Sequence, residues 1–236
     1  MELSKRLYAV AGLVTEGASV ADIGTDHGYV PIYLVKKGIA EKAIALDVNE
    51  GPLERARSHI ASYGLSGKIE TRLSDGLSKV SPGEVDTMIA AGMGGGLIIK
   101  ILEEGKEAVN SLKACILQPQ SEIARVRKYL AGNGLLIAGE DMVEEDGKFY
   151  PLMKAVHAPD GQQEDYEEYE YRYGKRLLEA CHPVLYEFLL RERHIQEQIL
   201  SRIKAQADSD SVRARQRELE EEMEYTARAL RHFKTF

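Results

Sequence analysis

The sequence predicts an α/β protein with a mostly parallel sheet of seven strands, followed by a tail that is entirely helical. Between residues 18 and 134, short apolar runs alternate five times with stretches of helical period, the pattern of β/α units in a parallel sheet. Two further apolar runs, between residues 135 and 157, flank Asp146-Gly147, a dipeptide that favours a tight antiparallel hairpin. From Lys175 onward the sequence shows helical periodicity and no strand pattern.

Each predicted strand is an apolar run bounded by turn residues, and the hairpin supplies the last two. The other five runs occupy residues 18–23, 42–48, 68–75, 85–93 and 114–120. A helix is predicted over residues 4–13, where Ser4 is a suitable N-cap. Asn49 and Ser121 are predicted to cap two later helices in the same way.

The composition changes near Pro159, where a polar, tyrosine-rich segment (158–174) is expected to bridge two units. Two amphipathic helices follow, and they predict an antiparallel coiled-coil hairpin. The apolar positions of the first are Val184, Leu185, Phe188, Ile195, Ile199 and Ile203. The heptad positions of the second are Val212, Gln216, Leu219, Met223, Thr226, Leu230 and Phe233. We therefore expect one domain over residues 1–160 and a helical domain over residues 161–236.

The bulk composition is that of an ordinary soluble protein, with 44% hydrophobic and 29% charged residues. No apolar stretch of about 18 residues and no signal peptide is found, so we expect a cytoplasmic protein without a membrane contact. Cys115 and Cys181 lack metal-ligand spacing and are expected to be buried, inert thiols, with no metal bound. We expect a monomer or a weak homodimer. The net charge of -7 argues against nucleic-acid binding overall, although local patches decide such contacts.

Three aspartates lie where the first three strands are expected to end, and they predict a cofactor site. Asp22, Asp47 and Asp75 would line the carboxyl-terminal edge of the sheet, where open α/β sheets bind ligands. In the first turn, Asp26 replaces the glycine that lets a dinucleotide pyrophosphate approach. A carboxylate there repels phosphates and suits a cationic ligand such as S-adenosyl-L-methionine. The alternatives are that the aspartates are ordinary turn residues, or that the ligand is NAD.

The residues expected to bind this cofactor belong to the first turn and to the ends of the second, third and fourth strands. They are Asp22, Gly24, Thr25, His27, Gly28, Asp47, Val48, Asp75, Gly76, Gly92 and Met93. His27 has a second interpretation, as a local helix cap.

The segments DIGTDHGYVP, AAGMGGGLI and ILQPQ, followed by a helical hairpin, resemble the bacterial tRNA (adenine-N1) methyltransferase family TrmK. This resemblance spans nearly the whole chain. It implies a Rossmann-like class I methyltransferase fold, S-adenosyl-L-methionine as donor, S-adenosyl-L-homocysteine as product, and adenine 22 of tRNA as the target. The alternatives are another RNA or small-molecule substrate, or a cofactor-binding scaffold whose tail binds proteins.

The turn after the fourth strand favours a ring nitrogen as the target. Methyltransferases that act on an exocyclic amine usually carry an Asn/Asp-Pro-Pro-aromatic turn there, whereas residues 90–96 contain neither proline nor an aromatic residue. Asp26 is the candidate catalytic group, as an acceptor of developing charge or of a proton; alternatively it only orients the cofactor.

The adenine must be unpaired or extruded for N1 to react, which predicts base and backbone contacts. Tyr29 is expected either to stack on the base or simply to pack. The full set of candidate substrate-binding residues is Lys5, Arg6, Tyr29, Gly94, Gln118, Gln120, Arg213 and Arg217. Each cation has the alternative of an ordinary solvated side chain.

Overall fold

A computed structural model of the chain describes residues 2–159, 162, 164–205 and 209–234. The described residues form two compact units, one within residues 1–164 and the other within residues 165–236. The domain boundary predicted between residues 160 and 161 lies outside the described residues.

The first unit is a seven-stranded sheet with helices on both faces. The strand order is β3-β2-β1-β4-β5-β7-β6, and all pairs are parallel except those formed by β7. The sequence-based prediction of a mostly parallel, seven-stranded sheet is therefore confirmed. The elements are α1 (Lys5–Gly12), β1 (Ala18–Ile23), α2 (Tyr29–Lys36), β2 (Ala40–Asp47), α3 (Glu50–Ser62), β3 (Ile69–Leu73), β4 (Thr87–Gly94), α4 (Gly95–Glu104), α5 (Lys106–Val109), β5 (Ala114–Ser121), α6 (Ile123–Gly132), β6 (Leu135–Glu145) and β7 (Lys148–His157).

Two apolar clusters, one on each face of the sheet, hold the helices in place. Val10, Ile32 and Ile60 bring α1, α2 and α3 onto one face. The other face carries α4, α5 and α6, through side chains that include Ile98 and Leu130. The strand order reverses between β1 and β4, and such a switch point opens a crevice at the carboxyl ends of the strands.

Two predicted helix caps are wrong in detail. Asn49 occupies the N-cap position of α3, but its side chain makes no capping hydrogen bond; its backbone N–H donates to the Asp47 carboxylate. Ser121 is the last residue of β5, and α6 begins after Glu122, whose φ of +51° turns the chain. The hairpin turn is as predicted, since Asp146 and Gly147 both have positive φ.

The second unit is helical, with α7 (Glu168–Tyr173), α8 (Lys175–Glu179), α9 (Pro183–Lys204) and α10 (Asp210–Arg231), followed by a 3-10 turn. Helix α7 was not predicted, because its acidic, tyrosine-rich sequence looks like a linker. A capping box between Glu167 and Glu170 starts it, and burial of Tyr169 and Tyr173 anchors it.

Helices α9 and α10 pack together as the sequence predicts, with one error of register. Ile195 is exposed, whereas Gln196 is buried, because the contact stripe of α9 runs through Leu189, Gln196 and Ile203 at steps of seven. On α10, Leu219, Thr226 and Leu230 are buried, as the heptad pattern indicates.

In the described part of the chain, no helix is long and apolar enough to cross a membrane, and no cluster of three potential metal ligands occurs. Cys115 is buried, and burial raises the pKa of its thiol to about 12. Cys181 is only half-buried, contrary to expectation.

Candidate active site

The turn between β1 and α2 forms one wall of the crevice at the switch point. Gly24 has a φ of +68°, and a Cβ built there would lie 2.5 Å from Met93 Cε. Only glycine fits without displacing that side chain, so the first turn and the fourth-strand turn meet at this point. Thr25 donates its backbone N–H to the Leu46 carbonyl, and Gly28 precedes α2.

Asp22 and Asp47 are both buried beneath this turn. The Thr25 hydroxyl donates to Asp22 Oδ2 over 2.7 Å, and the Asn49 N–H donates to Asp47 Oδ1 over 2.9 Å. The pKa of Asp22 is raised to about 7, and burial is the main cause. The charge of Asp47 also raises this pKa, whereas the hydrogen bond from Thr25 partly opposes the increase.

This pair of carboxylates has no cationic partner. Among the described residues, neither Asp22 nor Asp47 forms an ion pair with a lysine or arginine. Two buried carboxylates without a counter-ion favour a ligand that brings positive charge and hydroxyl donors. The residues present therefore fit S-adenosyl-L-methionine, which carries a sulfonium, an ammonium and ribose hydroxyls and has no phosphate.

The ends of β2 and β3 lie side by side, since Asp47 pairs with Leu73. Val48 and Leu73 are 60% and 52% exposed, so two apolar side chains flank the buried carboxylate. Asp75 lies beyond the end of β3, which stops earlier than predicted, and its Oδ2 is 3.9 Å from Lys100 Nζ. The Gly76 carbonyl accepts from the buried Ser74 hydroxyl, which fixes this loop.

The end of β4 is held by a fully buried glutamine. Gln118 Oε1 accepts from the Gly92 N–H over 3.1 Å and from Arg6 Nη1 over 2.9 Å. The sequence predicts that Gln118 contacts a base and that Arg6 supplies a cation to the RNA. In the structure these two side chains bond to each other, and Gln118 also bonds to the Gly92 turn. Gln120 and Gly94 are exposed near the same turn. Lys5 donates to the Glu144 carbonyl at the rim of the hairpin.

The carboxylate of Asp26 is oriented by two neighbours. Arg55 Nη2 donates to Oδ1 over 2.9 Å, and His27 Nε2 is 3.5 Å from Oδ2. Asp26 itself has a φ of +49°, a left-handed conformation that only a few non-glycine residues adopt readily. The carboxylate remains 60% exposed, so it is accessible to a ligand as well.

Three aromatic rings form a near-parallel group beside Asp26. The ring centroids of His27, Tyr29 and His59 lie 5.2 to 5.5 Å apart, with interplanar angles of 9° to 19°. The sequence-based site did not include Arg55 and His59. Arg55 and His59 are four residues apart and therefore lie on one face of α3. Only the tertiary structure shows that this face meets the turn that bears Asp26 and His27.

The remaining predicted residues, Arg213 and Arg217, lie on α10 in the second unit. Arg213 is paired with Asp210 over 2.7 Å, one turn earlier on the same helix. Both guanidinium groups are on the exposed side of the helix.

Comparison with known proteins places this geometry in a family. A family model described as "Methyltransferase domain" matches residues 3–153. The crystal structure of the Bacillus subtilis m1A22 tRNA methyltransferase TrmK is 32% identical, with a TM-score of 0.85 over 97% of this chain and 99% of that one. The chain belongs to the TrmK methyltransferase family.

Further similarities agree with membership of the TrmK family. The chain is 40% identical over 155 residues to the tRNA (adenine(22)-N(1))-methyltransferase of B. subtilis strain 168; this alignment covers 66% of the chain and 65% of that enzyme. A Streptococcus pneumoniae candidate tRNA (m1A22) methyltransferase, solved with S-adenosyl-L-methionine, is 32% identical, with a TM-score of 0.85 over 97% of this chain and all of that one.

The raised pKa of Asp22 predicts that the folding stability of the ligand-free protein depends on pH. The folded pKa of about 7 exceeds the unfolded value of 3.8, so only the unfolded state loses the proton between these values. Stability contributed by this group therefore falls as pH rises from 4 to 7. Asp22→Asn keeps the acceptor for Thr25 and removes the titration.

We expect Asp22→Asn to raise the free energy of unfolding at both pH values. The increase at pH 8 should exceed the increase at pH 5 by roughly 2 to 3 kcal/mol. Urea unfolding of both proteins at the two pH values measures this difference. Glu107→Gln, on the exposed surface of α5, serves as the control and should show none. If Asp22→Asn changed the free energy of unfolding equally at both pH values, the raised pKa of Asp22 in the folded protein would be contradicted.

Proposed function

We propose that the protein transfers a methyl group from S-adenosyl-L-methionine to N1 of adenine 22 in tRNA. The observation that carries this proposal is the buried, cation-free pair Asp22 and Asp47 at the switch point of a TrmK-family fold. The names of the aligned relatives support the choice of tRNA and of adenine 22. A tRNA substrate also implies action in the cytoplasm.

The carboxylates hold the donor. When bound, S-adenosyl-L-methionine supplies a methyl group carried on a positively charged sulfur. Asp22 supplies negative charge at the glycine turn, and ligand binding favours its ionised form because the two charges attract. With the donor bound, Asp47 would accept hydrogen bonds from its ribose hydroxyls, and the exposed Val48 would offer an apolar contact. Asp75 and Gly76 present acceptor and backbone groups for an exocyclic amine.

The turn at the end of β4 suits a ring nitrogen. Gln118 fixes the Gly92 N–H, and the turn offers no aromatic side chain to stack on a base and no Asn or Asp to accept amine hydrogens. The in-plane lone pair of N1 would form a bond to the methyl carbon as the bond from that carbon to sulfur breaks. The sulfur would keep that electron pair, so positive charge would pass from the sulfonium to the base. Alignment of the reacting atoms is therefore the main task of the protein.

The product distinguishes this reaction from methylation of the exocyclic amine. Incubation of the protein with tRNA and radiolabelled donor, followed by nucleoside analysis, is expected to yield 1-methyladenosine. Replacing adenine 22 by guanosine should abolish incorporation. The appearance of N6-methyladenosine, or unchanged labelling of the substituted tRNA, would contradict the proposal.

Asp26 stabilises the positive charge that develops on the base. No proton has to leave for the bond to N1 to form, so the carboxylate acts through its charge while Arg55 and His27 keep it oriented.

We expect Asp26→Asn to lower kcat by about 100-fold, while calorimetry shows the same affinity for S-adenosyl-L-homocysteine. Glu54→Gln, another carboxylate near Arg55 in sequence, is the control. A parallel loss of cofactor affinity in Asp26→Asn would instead assign Asp26 to orienting the cofactor.

The substrate contacts divide between the two units. Lys5, Tyr29, Gly94 and Gln120 remain candidates for contact with the target nucleotide, whereas Arg6 and Gln118 act by positioning the Gly92 turn. The exposed arginines of α10 supply phosphate contacts in the second unit.

Arg213→Glu with Arg217→Glu is expected to weaken tRNA binding roughly tenfold and to reduce its salt dependence. Filter binding at several salt concentrations measures both quantities. Arg193→Glu with Arg202→Glu changes the same charge on α9 and is the matched control. Unchanged affinity in the α10 variant would refute this contact and would favour a protein-binding tail.

A further inference from the structure

The helices beside the candidate active site carry exposed tyrosines and lysines, and neither α1 nor α2 contains an acidic residue. Residues 3–15 and 28–40, which contain α1 and α2, include no Asp or Glu, although the whole chain has a net charge of -7. The side chains concerned come from these helices and from the C-terminus of α3. We call them the tyrosine–lysine strip: Tyr8, Tyr29, Tyr33, Lys36, Lys37 and Tyr63.

Three pairs of side chains within this strip are in contact. The rings of Tyr8 and Tyr33 meet edge to face, with centroids 5.9 Å apart. Lys37 Nζ lies 6.0 Å from the centre of the Tyr33 ring, and Lys36 Nζ lies 4.7 Å from that of Tyr63. The contacts therefore connect three consecutive helices on one face of the sheet.

The strip is open to solvent and begins at the active site. Tyr8 is 60% exposed, and Tyr29 and Tyr63 are each 39% exposed. Tyr29 stacks beside His27 at the cofactor turn, and Tyr33 and Lys37 follow at successive steps of four on α2, which place them on the same helical face. The strip thus leads away from Asp26 along the helix.

We propose that the tyrosine–lysine strip binds tRNA, with the lysines on backbone phosphates and the tyrosine rings on unpaired bases. This inference rests on the proposed function. Lysines gain affinity by releasing counter-ions from the phosphates, and aromatic faces stack on bases of any sequence. An acidic protein surface would also suit the lysines. RNA is favoured because the strip is continuous with the ring group beside the reacting atoms.

Removing the two lysines tests the phosphate contacts. Lys36→Gln with Lys37→Gln is expected to weaken tRNA binding about tenfold and to reduce the slope of log K against log salt by about 1 to 2. Affinity for S-adenosyl-L-homocysteine and kcat at saturating tRNA should stay unchanged, while KM for tRNA rises. The matched control is Lys79→Gln with Lys106→Gln, which removes two exposed lysines away from the strip.

A second variant tests base stacking. Tyr8→Leu keeps an apolar side chain at an exposed position, so the fold is retained. We expect about five- to tenfold weaker tRNA binding with an unchanged salt slope. A loss in the lysine variant alone would overturn the stacking part of the inference.

The outcomes also separate this inference from the proposed function. Wild-type affinity in both variants, or an equal loss in the lysine control, would overturn the role of the strip while 1-methyladenosine is still formed. Failure of the wild-type protein to bind tRNA would overturn the proposed function and the strip together.

Discussion

The burial of two carboxylates, with no cationic partner among the described residues, is the constraint on which this site depends. Asp22 is the penultimate residue of β1 and Asp47 is the last residue of its parallel neighbour β2, so the sheet keeps both carboxylates at the same edge whether or not a cation is present. Burying like charges costs stability, and the free protein reduces that cost by keeping Asp22 partly protonated near neutral pH. The fold therefore maintains an unfavourable electrostatic arrangement that a cationic ligand relieves. Functional sites commonly lower the stability of the folded protein in this way.

The rest of the active site consists of backbone turns fixed by a few long-range contacts. Gln118 joins β5 to the end of β4 and, through Arg6, to the first helix. Arg55 reaches from α3 to the turn that bears Asp26. The turns thus have defined shapes although they lie at the ends of strands. This preorganisation matters for methyl transfer, where catalysis depends on alignment more than on proton transfer.

The sequence predicted the sheet and the aspartates because both follow short-range rules, namely strand period and turn chemistry. It did not reveal that Gln118 bonds to Arg6 and to the Gly92 turn, since an amide at a strand end looks available for a ligand until its partners are known. Arg55 and His59 were missed because no local pattern reveals which helix face meets a distant turn. In the tail, Gln196 was overlooked because apolarity alone favoured its neighbour Ile195, although the heptad register places Gln196 inside.

The close approach of the Met93 side chain to Gly24 determines how this part of the crevice can change shape. These residues belong to the turn after β1 and to the end of β4, and the Met93 methyl group lies where a side chain on Gly24 would otherwise be. Methionine has three rotatable bonds and adapts its shape at little cost. This part of the crevice can therefore change shape through torsions of one side chain, without any movement of the strands that carry the carboxylates.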